Sequence, residues 1–254
     1  MLQTTYKAIP LPGAALSTKS QLIPTVYLSR LASPALQSFL RANGFQLESL
    51  DVPVVYPEIS THADILLCQL GLWEKARIFH GNPEKLTRNY PGNIRYNAVC
   101  TGKYFIHNLQ YTDPDLLAAA EEHAVSEHTR LTRIHVNQGY TRCSLLPVDD
   151  RSFITSDAGI AKTLADYDTD VLLIRPGHIQ LPGFDYGFIG GTGGGLPLAG
   201  RRLLVVNGRI ETHPDYKKIA TFLEDRDIDL YYPKDSPLMD IGSILVDAAP
   251  EPLQ

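Results

Sequence analysis

The sequence predicts an α/β fold: a pseudo-symmetric ring of five hairpin–helix–strand units, a five-bladed β/α propeller closed by its own N-terminal strand. Three observations lead there. Between Asp64 and Asp240 one phrase recurs, clearest in Asn97-Ala-Val-Cys-Thr-Gly-Lys-Tyr-Phe-Ile-His-Asn108 and Cys143-Ser-Leu-Leu-Pro-Val-Asp-Asp-Arg-Ser-Phe-Ile-Thr-Ser-Asp157. Each copy is a short apolar strand, a polar turn and a second apolar strand, running through a Ser/Thr/Asp cap into a helix. The leading strands are expected at Asp64, Asn97, Cys143, about Phe188 and about Asp240, spaced by 33, 46, 45 and 52 residues, a period typical of solenoids, propellers and arrays. The last copy lacks a second strand, while a strand near the N-terminus lacks a hairpin start. Joining the two closes a ring and removes the exposed sheet edges.

Taken in order, residues 1–23 carry Pro10, Pro12 and Gly13 and read as an extended arm. Residues 24–247 form one propeller domain, and 248–254 a polar tail. Thr25–Ser29 is a strand, and Ser33-Pro34 starts a helix to about Ala42, since proline at the first helical position gives up an N–H that has no intrahelical partner. Asn43-Gly44 ends that helix as a left-handed cap, and Phe45–Val52 is the next strand. The same order follows in Lys103–His107, a helix capped by Thr112-Asp-Pro-Asp115 to about His123, and Thr132–Val136. It recurs in Ser152–Thr155, a helix capped by Ser156-Asp157 to about Ala165, and Asp170–Arg175. The fourth copy is Leu203–Val206, a helix capped by Thr212-His-Pro-Asp215 to about Asp225, and Ile228–Tyr232. Side-chain oxygens of such caps accept from the free N–H groups of the first turn. Ile241–Val246 is the final strand. The first copy has lost most of its helix, and the fourth carries a glycine-rich insertion.

Composition bounds the function classes. At 254 residues with 44% apolar and 20% charged side chains, the chain is an ordinary globular protein with a core of its own. A net charge of −5 argues against nucleic acid or an anionic membrane as partner. Cys68, Cys100 and Cys143 are odd in number and form no Cys-x-x-Cys pair, which points away from zinc and disulfides and toward a reducing cytosol. Neither a signal peptide nor an apolar run of roughly 20 residues is recognisable. A cytoplasmic protein without cofactor or metal is expected.

Several phrases carry a resemblance. Gln138-Gly-Tyr-Thr-Arg-Cys-Ser144, Ile154-Thr-Ser-Asp157, Val171-Leu-Leu-Ile-Arg-Pro-Gly-His178 and Gly183-Phe-Asp-Tyr-Gly-Phe-Ile-Gly-Gly191 look like an uncharacterised bacterial domain family of the pentein fold, the β/α propeller of the guanidino-group-modifying enzymes. His213-Pro-Asp215 and Asp240-Ile-Gly-Ser243 extend the match over roughly residues 24–247. Penteins include deiminases, dimethylarginine hydrolases, amidinotransferases and a non-catalytic ribosome anti-association factor. The resemblance implies a nucleophilic cysteine attacking a guanidinium carbon, a His-x-Asp pair, and further carboxylates around a small guanidino or amidino cation. Hydrolase and transferase chemistry both stay open, as does the alternative of a binding protein without catalysis.

Cys143 is the nucleophile candidate: it is expected to open a leading strand, where a nearby cation or histidine would lower its pKa. The competing reading is a buried structural cysteine, the role expected for Cys68 and Cys100. His62-Ala-Asp64 matches the His-x-Asp order, and in extended chain these two side chains share a face. Asp240 and Asn97 hold the remaining axial positions. Asp185, within the glycine-rich stretch 183–195, would add an acceptor for a cation, and that stretch would shape or cover the site. It is no dinucleotide fingerprint, since Leu196 stands where a third glycine is required. His178 and Arg142 are further substrate-binding candidates, whereas His213-Pro-Asp215 reads as a helix cap. In many catalytic penteins the cysteine lies in the last repeat; here it lies in the third. The sequence leaves the oligomeric state open, a homodimer included.

Overall fold

The computed structural model describes residues 23–248; the expected arm and tail lie outside them apart from Ile23 and Ala248. The elements are β1 (Thr25–Tyr27), α1 (Pro34–Ala42), β2 (Gln46–Glu48), β3 (Leu67–Leu70), β4 (Arg77–His80), β5 (Val99–Cys100), β6 (Tyr104–His107), α2 (Pro114–Ser126) and β7 (Thr132–His135). There follow α3 (Thr141–Ser144), β8 (Leu145–Pro147), β9 (Ser152–Thr155), α4 (Ala158–Leu164), β10 (Asp170–Leu173), β11 (Gly193–Leu198), β12 (Arg201–Val206), α5 (Tyr216–Glu224), β13 (Ile228–Tyr231) and β14 (Leu245–Asp247).

Local chemistry accounts for the helices. Ser33 caps α1 by accepting from the Leu36 N–H, with Pro34 in the first turn. Asp113 and Asp157 do the same for α2 and α4. Gly44 follows α1 at φ +85°, a left-handed conformation natural to glycine. Each long helix buries residues four apart: Leu36 and Leu40, Leu116 and Ala120, Ile160 and Leu164, Ile219 and Leu223. Full burial of one such leucine or isoleucine is worth about 1.5–3 kcal/mol. Asp215 stands at the head of α5, but its carboxylate makes no cap bond. It takes two bonds from the Arg175 guanidinium and one from the Arg175 N–H, tying the chain after β10 to α5.

Four times the same sheet is built. β5–β6–β7, β8–β9–β10, β11–β12–β13 and β14–β1–β2 each contain an antiparallel pair followed by a parallel pair, and a helix makes each parallel crossover, as such a connection requires. β1 pairs antiparallel with β14, Thr25 opposite Asp247, so the two ends of the described chain share one sheet as the repeat predicts. β3 and β4 form a hairpin through a 3-10 turn, Trp73–Lys75, and a second 3-10 turn, Pro83–Lys85, follows β4 where the other units have a helix. One parallel pair, Leu70 opposite Cys100, joins this hairpin to β5. The expected five separate blades therefore appear as four sheets of three, three, three and five strands. The join is a single pair because β5 is only two residues long.

The helices knit neighbouring sheets. α2 shares a core with Phe105 of its own sheet and Cys68 of the hairpin, and α4 with Phe153 of its own sheet and Ile106 of the sheet before. α5 shares one with Leu204 and Ile154, and α1 with Val26 and Val205. Cys68 and Cys100 are buried there, as expected of core residues. No described helix is long and apolar enough to cross a membrane.

Candidate active site

The residues expected to open the leading strands lie two to five positions ahead of them, in turns. Asp64 sits in a 3-10 turn, Ala63–Ile65, and Cys143 in the single helical turn α3. The strands begin only at Leu67, Val99, Leu145, Gly193 and Leu245. The reason is visible in the hydrogen bonds, because the backbone here is spent on wiring the turns together instead of on strand ladders.

That wiring runs round all five segments. The Asn97 amide donates to the Asp64 carbonyl at 3.1 Å, and its oxygen accepts the N–H groups of Arg142 at 2.8 Å and Cys143 at 3.3 Å. The Arg142 guanidinium donates to the carbonyls of Gly190 (2.8 Å) and Gly193 (2.9 Å). The Gly191 carbonyl accepts from the N–H groups of Ile241 and Ser243, both at 2.9 Å. The Ser243 hydroxyl closes the circuit onto Asp64 Oδ2 at 2.5 Å. Close approach demands the glycines here: a Cβ on Gly191 would lie 1.9 Å from Asp240 Oδ1, and one on Gly190 2.1 Å from the Arg142 carbonyl. Residues 190–195 are thus buried structure and not a covering loop; only 182–186 are exposed.

At the centre Cys143 Sγ donates to Asp64 Oδ2 at 3.0 Å and receives the Asn97 amide at 3.4 Å. A His62 ring nitrogen, an Asp64 oxygen and Cys143 Sγ lie within 4.8 Å of one another, all buried. This donor set has the chemistry of a cation site, but the thiol proton is engaged with Asp64, and a metal would have to displace it. Asp64 Oδ1 is buried without a partner among the described residues.

Burial governs the titration. It pushes the Cys143 thiol well above its usual range, and the nearby Asp64 and Asp240 carboxylates add to the rise. The expected lowering by a neighbouring cation or histidine is therefore reversed in this structure. Burial also raises the Asp64 carboxyl, against opposing pulls from His62, Cys143 and Ser243. It lowers His62, with Asp64 opposing. Asp240 is pushed up to about 6 by burial, although the N–H groups of Phe188 and Gly242 and the charge of Arg142 favour its ionised form.

A cavity of about 330 Å³ opens onto this cluster. His62, Cys143, Asp240 and Asp185 line it, with Asp185 on the exposed tip. Asp64 is not on its wall; it backs Cys143 from behind. Asn97 and Arg142 hold the turns together and do not line the cavity. His178 is exposed and also stands apart, its ring 5.4 Å from that of His213. His213 itself accepts the Asp215 N–H and contacts the Arg175 carbonyl, a structural role.

Sequence reasoning missed Ser243 and the aromatic wall. Ser243 stands at φ +71°, unusual for a residue with a side chain, and belongs to the singled-out phrase Asp240-Ile-Gly-Ser243. Tyr140, Phe184, Tyr186 and Phe188 also lie in such phrases, and with Tyr56 they line the cavity. The signal available was their concentration around glycines.

Residues 72–245 match a family described as "Family of unknown function (DUF6873)". No curated protein matches the chain. Among solved structures, SxtG, an amidinotransferase from Microseira wollei in the saxitoxin biosynthetic pathway, aligns at 10% identity and a TM-score of 0.45, over 84% of this chain and 89% of that one.

Proposed function

The chain belongs to the family of unknown function DUF6873, and we propose that it modifies the guanidino or amidino group of a small cation through Cys143. In the same reading the four three-stranded units and the β3–β4 hairpin are five turns of one repeated unit, a pentein-like ring. The circuit of hydrogen bonds through the five turns supports that arrangement.

The observation that carries the proposal is the convergence of Cys143, His62 and Asp64, 79 residues apart at Cys143 and Asp64, beside a cavity that also presents Asp240. The resting thiol is protonated, and two carboxylates oppose its ionisation. A guanidinium cation entering beside Asp240 reverses that local field, because a positive charge at contact distance favours the thiolate. Cys143 Sγ attacks the guanidinium carbon as its proton passes to Asp64 Oδ2 along the 3.0 Å bond. His62, neutral at rest, takes up that proton from Asp64, whose oxygen lies within 4.8 Å of its ring nitrogen, and hands it to the departing amine. The C–N bond breaks, leaving an amidino-thioether on Cys143. Water then releases a urea-type product in a hydrolase, or a second amine takes the amidino group in a transferase.

A second reading is favoured by the thiol's raised pKa: a binding protein that holds the cation without chemistry. Alkylation of Cys143 by iodoacetamide across pH, with and without guanidinium, separates the two. The catalytic reading expects slow alkylation below about pH 8.5 without ligand and a ligand-dependent change at Cys143. It also expects Cys143→Ala to abolish turnover while leaving the melting curve intact. A thiol indifferent to every guanidino compound tested would sink it.

A further inference from the structure

The cavity wall says more about the ligand than its guanidino head. Among the described residues that line it, none is a lysine or arginine. The acidic groups are Asp240 inside and Asp185 at the mouth, and burial holds His62 toward its neutral form. The Arg142 guanidinium, beside Cys143 in sequence, is bonded to two carbonyls, and Arg88 lies outside the lining, 5.9 Å over the ring of Tyr56. The rest of the wall is aromatic and aliphatic. Tyr56, Tyr140 and Phe188 are half-buried, and Phe184 and Tyr186 are exposed at 50% and 42%. Tyr186 meets Phe188 edge to face at 6.2 Å. Outside the cavity the aromatic surface continues through Tyr90, 6.2 Å from Tyr140, to Tyr111, 6.4 Å from Tyr90.

Resting on the guanidino reading above, we infer that the ligand is a carboxylate-free organic cation: a guanidinium or amidinium head on an apolar aryl or alkyl body. Aromatic faces attract a cation through their quadrupole and carboxylates pair with it. A ligand carboxylate would meet no cationic partner on this wall and would face Asp185 and Asp240, a like-charge contact that costs affinity. Guanidino acids are thereby rejected, and the exposed aromatic apron takes up the apolar body.

The test compares two ligands that differ by one carboxylate, phenylguanidine and 4-guanidinobenzoate, titrated calorimetrically into the full-length Cys143→Ser protein, which cannot turn them over. Phenylguanidine is expected to bind at least tenfold more tightly. In Asp185→Lys, a change at an exposed position, that ratio is expected to fall by about tenfold, since a cation at the mouth gives the carboxylate a partner. Equal affinities, or tighter binding of 4-guanidinobenzoate, overturn the inference. So does failure of both to bind. Guanidinium chloride protection of wild-type Cys143 from iodoacetamide tells these failures apart: protection leaves the guanidino reading standing with a different body, and its absence removes both.

Discussion

Replacing Asp64 by asparagine deletes a charge from the most enclosed point of the cluster while keeping its shape. Oδ2 accepts from Cys143 and Ser243, and Oδ1 has no partner among the described residues. An asparagine carbonyl can keep both accepted bonds, with its NH2 at the position that has no partner now. Burial, the largest influence, raises the Asp64 pKa, so the fold disfavours its ionised form. Exchanging a buried ion pair for well-packed uncharged residues ranges from neutral to a gain of about 1–4 kcal/mol, and the single disfavoured charge of Asp64 is of the same kind. With both bonds retained we expect about 2 kcal/mol, or roughly 4–8 °C in Tm for a chain of this size. The sign follows from linkage. A carboxyl whose folded pKa is raised binds its proton more tightly in the folded state, so wild-type stability falls as pH rises from the unfolded to the folded value. The advantage of Asp64→Asn should therefore be absent near pH 4 and grow as pH rises toward 8. Calorimetric melts of both proteins at pH 4, 6 and 8 measure it. A variant less stable than wild type at pH 8, or a difference that ignores pH, would refute the electrostatic account. The stabilised variant is also expected to lose turnover, since a destabilised charge retained at a site marks function traded against stability.

Other consequences can be measured separately. Because Asp240 titrates at about 6 and a cation prefers its ionised form, ligand affinity should rise about tenfold between pH 5 and pH 7 in calorimetric titrations; a flat profile would remove Asp240 from the binding site. Gly191→Ala places a Cβ 1.9 Å from Asp240 Oδ1 and is expected to destabilise by about 1–3 kcal/mol as an overpacked position, read from denaturant unfolding. Ser243→Ala loses the hydroxyl bonded to Asp64 while keeping the φ of +71°, for a loss of about 1.5–3 kcal/mol. Ser243→Gly loses the same bond but relieves the left-handed backbone, worth about 1–2 kcal/mol; it should therefore be the more stable of the two, and the reverse order would show that the backbone at 243 is unstrained.

Much of the architecture was legible because it is local. Ser33 before Pro34, Asp113 before Pro114 and Asp157 before Ala158 announce helix starts through caps that act within one turn, and the four-residue spacing of buried side chains follows from helix geometry. Even the pairing of β1 with β14 could be anticipated, since a strand without a hairpin and a hairpin without a strand imply each other. Repeat position and the pentein resemblance nominated Cys143, His62, Asp64 and Asp240; His62, Asp64 and Cys143 lie within 4.8 Å of one another, and Asp240 lines the same cavity as His62 and Cys143. The sequence could not say where side chains point. Arg142 and Cys143 are adjacent in the chain, yet one guanidinium reaches back to Gly190 and Gly193 while the neighbouring thiol faces the cavity. His178, expected among the substrate-binding residues, stands apart from the cavity. The direction of the Cys143 shift was misread for the same reason: a nearby cation predicts a lower pKa, but burial and two carboxylates outweigh it. Desolvation depends on every atom that encloses a group, most of them remote in sequence. Periodicity and capping thus determined the repeated unit, and only the tertiary packing of five turns decided which side chains share a cavity and which charges go without water.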